Sequence, residues 1–222
     1  MTESLFPNVR WESMWEATLQ TAYMTAISVL ATFILGILLG LLLFLTGRGN
    51  IWENKFVNSI IAGVVNLFRS IPFIILIILL IPLSVYIIGT MLGANAALPA
   101  LIAGAAPFYA RMVEIALREV DKGVIEASQS MGASNGSIIF KVLLPEAMPA
   151  LISGITVTAI ALVSYTAMAG VVGAGGLGNL AYLEGFQRNN PDVTLVATVL
   201  ILVIVAILQV CGDVATRVID KR

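Results

Sequence analysis

The residue types that most enzymes use for acid, base or nucleophilic chemistry are scarce in this sequence. It has no histidine, the commonest general base, and its single cysteine, Cys211, lies in an apolar run. Glu114 and Asp213 stand at the edges of apolar blocks, and no lysine lies deep in one. This pattern argues against an enzyme site built from paired carboxylates or a Ser–Lys pair within those blocks. The sequence therefore predicts no catalytic residue, and no metal or cofactor bound by this chain.

A glycine cluster has the spacing of a nucleotide loop but the wrong surroundings. Gly173, Gly175 and Gly178 match Gly-x-Gly-x-x-Gly, a fingerprint that requires a preceding β-strand. Here a long uncharged run of helical length precedes it. The chain also lacks the Gly-x-x-x-x-Gly-Lys-Ser/Thr loop that cradles phosphates. We expect a flexible or closely packed turn that forms part of a gate or a docking surface.

Arg69 is a charged residue deep inside an apolar block. At about 1.5 Å per helical residue it lies roughly 20 Å from the start of that block near Phe56. A charge inside hydrocarbon costs at least about 2.5–3.5 kcal/mol, so Arg69 is expected to face protein or water. Ser70 and Pro72 predict a helix break beside it. Two roles remain open: attracting an anionic substrate group in a translocation path, or binding carbonyl groups of a neighbouring helix at the kink.

Hydroxyl groups and a thioether enter another apolar block at Ser164, Tyr165, Thr166 and Met168. The hydroxyls have two interpretations: they bond the charged ends of an amino acid along a path, or they bond between neighbouring membrane helices. The candidates for the path or gate are Arg69, Pro72, Ser164, Tyr165, Met168 and Gly175.

The composition indicates that these blocks lie in a lipid bilayer. Hydrophobic residues make up 59% of the 222 residues and charged residues 11%, against about a quarter charged in soluble domains. A net charge of −1 gives no basic surface for nucleic acid. The sequence thus predicts an all-α integral membrane protein.

Five apolar blocks are long enough to cross a bilayer, which takes about 20 helical residues. They cover residues 17–47, 56–82, 92–111, 147–172 and 193–212. Pro82, Gly89, Gly93 and Asn95 supply the break between the second and third spans. Gly36 and Gly40 indicate a close helix contact in the first.

The chain divides into three parts. Residues 1–16 form an interfacial segment, in which Trp11 and Trp15 lie one helical turn apart. Residues 17–216 form a single transmembrane domain with a polar loop at about 121–146, and residues 217–222 form a tail.

Basic residues predict the orientation. One set of loops carries only Arg10 and Arg188. The other set, with the C-terminal tail, carries Arg48, Lys55, Arg111, Arg118, Lys122, Lys141, Arg217, Lys221 and Arg222. Because cytoplasmic loops are enriched in Lys and Arg, we expect the N-terminus outside, and the C-terminus and the polar loop in the cytoplasm.

The polar loop contains a pattern for two short helices joined at Gly132, which can adopt the left-handed conformation that ends a helix. Ser134 can cap the second helix, and Pro145 is expected to end it. Both helices carry apolar faces: Val124, Ala127, Ser128 and Met131 on the first, and Ile138, Ile139, Val142 and Leu143 on the second. Either a partner protein covers these faces, or the loop folds back on its own bundle.

The residues of this loop resemble the signature loop of ABC importer permeases. In that family the loop has the pattern Glu-Ala-Ala, then Gly, then Ile-x-Leu-Pro. The matching residues are Glu126, Ala127, Gly132, Leu144 and Pro145. Ser128 replaces the second Ala and Val142 replaces Ile, both small changes of volume. The resemblance implies that this loop is the coupling element that docks into a cleft of an ATPase subunit, with exposed apolar residues filling the cleft.

Other blocks are similar to blocks of the methionine-uptake permeases among ABC importers. They are residues 68–73, 104–108 with 110–114, and 173–178. With the coupling loop, the likeness covers the chain from about Ala17 onward. It implies five helices of the type I importer fold in a bacterial plasma membrane.

The resemblance also implies a machine of several parts. Two copies of this chain would assemble with two cytoplasmic ATPases and receive methionine, in its D and L forms, from an extracellular or periplasmic binding lipoprotein. Alternating access would move the substrate. The competing interpretation is an ABC permease for another small amino acid or short peptide; an ion channel would leave the apolar faces of the loop unexplained.

Overall fold

Uncharged apolar stretches form the long helices of this chain. A computed structural model describes residues 6–220, and these residues form helices and turns without a strand. The first five residues of the predicted interfacial segment and the last two of the predicted tail lie outside this range. The long helices are α1 (Trp11–Thr46), α5 (Ala94–Arg118), α8 (Leu144–Val171) and α10 (Pro191–Ile219).

The second predicted span is broken. It consists of α2 (Lys55–Ser70) and α3 (Phe73–Leu79), which meet at 106°, followed by α4 (Ile81–Ile88). Pro72 cannot donate a backbone hydrogen bond and disfavours helical geometry in the residue before it. Within residues 6–220, four helices are long and apolar enough to cross a membrane, or five if the bent pair is one span. The predicted count and the predicted break are confirmed.

Short elements connect the long helices. Gly89 and Gly93 take left-handed conformations with φ of +85° and +90°, which ends α4 and separates it from α5. After α5 come α6 (Lys122–Ser130), α7 (Asn135–Ile138) and a π-helical segment, Ile139–Leu143. Between α8 and α10 lie α9 (Gly176–Leu180) and a second π-helical segment, Ala181–Gln187.

Close packing of α1 against α5 lies at the centre of the bundle. A Cβ atom at Gly36 would lie 2.5 Å from the Tyr109 ring, and one at Gly40 would lie 2.5 Å from Val113 Cβ. Towards its N-terminus, the same face of α1 carries further small buried residues, at Thr21, Thr25, Ser28 and Thr32. Small residues let helix backbones approach in a membrane, where dispersion forces rather than water drive association. The close contact predicted at Gly36 and Gly40 is confirmed.

Buried clusters lie along the bundle and mark its two ends. At the end that carries α6 and α7, called the coupling end below, the ends of α1 and α5 pack on the π-helical segment and α8. In the middle, α1, α3, α5 and α8 meet. At the other end, called the N-terminal end, residues before and within α1 pack on α9 and α10.

The expectation that Pro145 ends a short helix is wrong. Helical structure runs without interruption from Asn135 through Pro145 to Val171. A proline inside a helix removes an N–H donor and crowds the carbonyl four residues earlier. Here the preceding segment is π-helical, with Leu144 N–H donating to Ile139 O. This wider turn just before Pro145 relaxes the spacing that the proline ring would otherwise crowd.

Candidate translocation path and coupling surface

A cavity of about 240 Å³ lies where α2 bends into α3. Arg69 lines it from the last turn of α2, and Tyr165 lines it from α8. Tyr165 stacks on Phe73, with ring centroids 4.4 Å apart and planes 4° apart, and this stack fixes the start of α3 against α8. The other walls come from Phe68, Ile71, Leu76, Gly104 and Phe108. The cavity therefore has largely apolar walls with one guanidinium group at its edge.

The Arg69 side chain is exposed in the isolated chain. Within residues 6–220 it forms no ion pair and donates no hydrogen bond to a carbonyl group of a neighbouring helix. Binding of carbonyls at the kink, the structural alternative, is thus not observed among these residues. Because a membrane arginine must face protein or water, Arg69 faces a space that this chain alone does not fill. Its role in a path stays a prediction.

The other path candidates are spread over the bundle. Pro72 lies at the start of α3, next to the cavity. Ser164 and Met168 lie one turn apart on an exposed face of α8 and do not line the cavity. Thr166 is buried and donates to Val163 O at 2.7 Å, so its hydroxyl is satisfied within its own helix. The structure therefore brings Arg69 and Tyr165 together, and leaves Ser164 and Met168 apart from them.

Gly175 lies in a closely packed turn at the far end of α8. Gly173, Gly175 and Gly176 all have positive φ. Gly176 N–H donates to Gln20 Oε1 at 2.8 Å, and Leu177 N–H donates to Thr21 Oγ1 at 2.9 Å, so the turn is bound to α1. The helix that follows has only five residues. The sequence left two alternatives for this turn, flexible or closely packed. These contacts correspond to the closely packed alternative.

The first coupling helix and the turn after it form as predicted. Asp121 caps α6 by accepting from Gly123 N–H at 2.7 Å. Gly132 has a φ of +77°, and no atom lies within 4 Å of a Cβ built on it. Ser134 caps α7 by accepting from Ser137 N–H. Ser128, which departs from the family pattern, is buried and its hydroxyl donates to Val124 O at 2.8 Å. The hydroxyl that replaces an alanine methyl group is therefore hydrogen-bonded.

The two interpretations of the apolar loop residues apply to different residues. Ile138, Ile139 and Leu143 are buried in the cluster at the coupling end, so this part of the loop folds back on its own bundle. Met131 is 81% exposed and Phe140 is 69% exposed. The loop therefore presents a small apolar surface, consisting of Val124, Met131 and Phe140, that nothing in residues 6–220 covers.

The five predicted coupling residues do not share one surface. Glu126, Ala127 and Gly132 are exposed on α6 and its turn, and Pro145 is exposed at the start of α8. Leu144 is partly buried and packs against the cluster at the coupling end. Leu144 therefore supports the loop from the bundle side.

A buried carboxylate near the coupling end was not predicted. The Glu114 side chain is 3% exposed and lies between two arginines of α5. Its oxygens are 2.5 Å from Arg111 Nη1 and 2.6 Å from Arg118 Nη2. The i, i+3 and i, i+4 spacings put all three on one face. This Glu114 cluster was readable from spacing, but the sequence does not reveal that the carboxylate is buried.

At the N-terminal end, the residues before α1 are attached to the second π-helical segment and to the first turn of α10. Arg10 Nη2 lies 2.5 Å from Glu184 Oε1. Asn8 N–H donates to Asp192 Oδ2 at 2.9 Å, and Asn8 Nδ2 donates to Asp192 Oδ1 at 3.3 Å. Val9 packs in the cluster below them. These contacts join the start of the chain to the elements that follow the glycine turn.

Together these features define a class of protein. Residues 6–220 form several helices long enough to span a membrane, with a charged residue at a broken span and exposed apolar side chains in the loop that carries α6 and α7. Broken spans beside a cavity are typical of transport proteins.

The chain belongs to the family of binding-protein-dependent transport system inner membrane components, whose model matches residues 33–222. It is therefore a multi-pass inner-membrane protein, and its family consists of transport subunits.

Named relatives and solved structures are similar over most of the chain. It is 70% identical to the methionine import system permease of Bacillus subtilis, over 81% of each chain. It is 48% identical to a probable D-methionine transport system permease of Pasteurella multocida, over 81% and 82% of the two chains. A chain from an inward-facing crystal structure of the MetNI methionine ABC transporter has a TM-score of 0.92 at 43% identity, covering 96% of this chain and 100% of that one.

A more distant structure has the same fold. A chain of an amino acid ABC transporter has a TM-score of 0.69 at 19% identity, covering 94% of this chain and 98% of that one. At that identity the likeness concerns the fold alone. The predicted type I importer fold is confirmed by the closer structure.

The Glu114 cluster predicts an asymmetric response to substitution. Glu114→Gln removes two charge-assisted hydrogen bonds, yet both arginines remain about half exposed and can be hydrated. We expect a loss of about 1.5–3 kcal/mol in the free energy of unfolding. Replacing both Arg111 and Arg118 with Gln leaves a buried carboxylate without an ion pair, and costs about 3–5 kcal/mol. Denaturant unfolding of the purified chain measures both, and a larger loss for Glu114→Gln contradicts this account.

Proposed function

We propose that this chain is the membrane-spanning subunit of an ATP-driven importer for methionine in its D and L forms. The observation that carries the proposal is the 70% identity to a methionine import permease over 81% of both chains. The match to a chain of a methionine ABC transporter, at a TM-score of 0.92, supports it. In this proposal two copies form the path, two ATPases drive it, and a binding lipoprotein delivers the substrate.

The cavity at the α2–α3 bend has the chemistry that a zwitterionic amino acid with an apolar side chain requires. The Arg69 guanidinium can pair with a carboxylate through parallel hydrogen bonds. Phe68, Phe108 and Leu76 line the same cavity, and a thioether makes favourable contacts with aromatic rings. Arg69 and Tyr165 are therefore proposed to face the path near its middle. Gly175, in its packed turn, is proposed as part of the gate at the N-terminal end.

The second copy is proposed to lie along α2, α3 and α4. In α2 only Val65 is buried, although the helix carries polar residues on a face that its own bundle leaves open. These residues are Ser59, Asn66, Arg69 and Ser70. Polar groups turned towards lipid are costly, so this face needs protein or a water-filled path. A two-fold assembly supplies both, because the same face of the second copy would lie opposite.

Orientation follows from the charges at the two ends. Arg10 and Arg188 at the N-terminal end both lie near Glu184, at 2.5 and 3.9 Å, and are partly neutralised. The turn after α1 and the loop after α5 carry further basic residues at the coupling end: Arg48, Lys55, Lys122 and Lys141. The positive-inside rule then favours a cytoplasmic coupling end and an external N-terminus.

Coupling is proposed to use Val124, Met131 and Phe140 as the apolar surface that enters the ATPase cleft. ATP and Mg bind to the ATPases, and closure of the ATPase pair brings the two coupling loops together. Because the segment after Gly132 is packed into the bundle, movement of α6 is passed to α5 and α8. The path then opens outward, and hydrolysis resets it.

The function is tested by ATP hydrolysis of the reconstituted complex. Methionine-loaded binding protein is expected to stimulate hydrolysis, with the unloaded binding protein as the control. Stimulation by a binding protein for another amino acid or a peptide, with none by the methionine-binding one, would overturn the substrate assignment and favour the competing permease.

The path role of Arg69 is tested by Arg69→Gln, with Arg217→Gln, which removes an exposed charge at the coupling end, as the matched control. Loss of a charge-assisted pair predicts that the apparent affinity for methionine falls about tenfold or more, while the complex assembles normally. Uptake into vesicles and gel filtration measure the two. Normal uptake by an intact complex rules out the path role, and failure to assemble assigns Arg69 to structure.

The coupling surface is tested by Met131→Ser. Loss of an apolar anchor at the centre of an interface predicts about tenfold weaker binding of the ATPase. Phe186→Ser is the matched control, because Phe186 is 75% exposed at the N-terminal end. Binding of the purified ATPase to the chain in nanodiscs measures both. Equal weakening in the two variants contradicts the assignment.

A further inference from the structure

A second cavity, of about 520 Å³, opens at the coupling end. It lies between the turn that follows α1, the end of α5 and the first coupling helix, α6. Its walls include Arg48 and Ile51 from the turn, Arg118 from α5, and Lys122, Ile125 and Glu126 from α6. Neither the proposed path nor the proposed ATPase-docking surface uses it.

The lining is apolar on one side and cationic on the other. Phe44, Leu117 and Val120 belong to the buried cluster at the coupling end, so they form a fixed apolar floor. The Arg48, Arg118 and Lys122 side chains bring three positive charges to the same space. A cavity of this type fits an amphiphilic anion.

The charges around the cavity leave a positive excess. Glu114 neutralises one of the two arginines that it binds, Arg111 and Arg118. Within residues 6–220, Arg48 and Lys122 form no ion pair. Glu126 contributes the one carboxylate among the lining residues. Arg118 is already paired with Glu114, and Glu53 beside the cavity accepts from Gly49 N–H at 2.9 Å, so the cations Arg48 and Lys122 carry the attraction for an anion.

The turn that carries Arg48 is held in place by backbone contacts. Asn50 Nδ2 donates to Phe44 O at 2.5 Å. Trp52 N–H donates to Leu45 O and Asn54 N–H donates to Thr46 O, both at 3.0 Å. This wall of the cavity is therefore an ordered part of the fold.

The cavity and the ATPase-docking surface lie on opposite faces of α6. Lys122, Glu126 and Gln129 share the face towards the cavity, at spacings of four and three residues. At 100° per residue, Val124 lies about 140–160° around the helix from these three, on the far side. An ATPase bound to the apolar surface thus leaves the cavity free, which favours a small ligand over a side chain of the ATPase.

The level of the cavity points to a lipid. It lies where two long helices end, at Thr46 and Arg118. Trp52, in the same turn as Arg48, is 47% exposed, and tryptophan is enriched at the headgroup level of membranes. Basic pockets between membrane helices on the cytoplasmic side bind anionic headgroups.

We propose that this cavity binds the headgroup phosphate of an anionic phospholipid. Arg48, Arg118 and Lys122 pair with the phosphate, and the start of an acyl chain lies against the partly exposed lining residues Ile51 and Ile125. Such a lipid joins the bundle to α6, because Arg48 and Arg118 belong to the spans and Lys122 to the coupling helix. It therefore stabilises one position of α6 relative to the bundle.

The test compares phosphatidylglycerol with phosphatidylcholine on the chain assembled with its ATPase. After delipidation, titration in nanodiscs with native mass spectrometry counts the lipids retained. We expect Arg48→Gln with Lys122→Gln to weaken phosphatidylglycerol retention at least about fivefold, since each cation near an anionic lipid contributes about that factor. Lys55→Gln with Arg217→Gln removes the same charge at the same end, outside the cavity, and should leave retention unchanged.

Equal retention by the cavity variant and the wild type overturns the proposal. Glycerol 3-phosphate or inorganic phosphate that displaces the lipid at equal concentration assigns the site to a free anion and overturns the lipid. These measurements do not involve methionine, so their failure is distinct from failure of the proposed function.

A labelling experiment covers the case in which the double variant does not fold. In a Cys211→Ser background, needed because Cys211 is exposed, maleimide labelling of Gln129→Cys should slow when phosphatidylglycerol replaces phosphatidylcholine. Adding the ATPase in phosphatidylcholine alone should leave the labelling rate unchanged. Slowing by the ATPase alone shows that the partner fills the cavity, and labelling that ignores the lipid overturns the proposal.

Discussion

Burial of Ile138, Ile139 and Leu143 in the bundle is the contact on which the coupling loop depends. A loop of two short helices on flexible connections would absorb any push from a partner. Here the segment after Gly132 is anchored by side chains that are at most 4% exposed, and it continues without a break into α8. Close-packed interiors transmit displacement because they deform little. The segment before Gly132, in contrast, is mostly exposed. Gly132 therefore separates a packed segment of the loop from a segment that is accessible to a partner.

The second constraint is the cost of polar groups in hydrocarbon. Arg69 and the polar face of α2 cannot face lipid, yet the chain alone leaves them open. The fold of one chain is therefore incomplete in a membrane. The bend at Pro72 creates a further need for polar surroundings. The backbone hydrogen bonds of α2 end there, beside the Arg69 cavity rather than at the membrane surface. An assembly of two chains in the proposed function meets both needs.

The sequence predicted the elements better than their contacts. Runs without charge marked the long helices, and Pro72, Gly89 and Gly132 marked breaks, because proline and glycine act locally on the backbone. The prediction for Pro145 was wrong because a π-helical segment, which the residue pattern does not reveal, precedes it. Glu114 was placed at the edge of its block, since spacing reveals its arginine partners but not its burial. The meeting of Arg69 with Tyr165 joins residues 96 positions apart, which no local pattern encodes.

On the first coupling helix, the face that a residue occupies says more about its contacts than its place in the signature pattern does. Glu126 belongs to the signature pattern, but it lines the cationic cavity and points away from the apolar surface at Val124 and Met131. In the proposed function, α6 has one apolar face towards the ATPase and one polar face towards its own bundle. A ligand in the cavity would then change the free energy of moving α6 without competing for the ATPase cleft. In the proposed importer, the ATPase and the membrane would thus act on the same nine residues, Lys122–Ser130, from opposite sides.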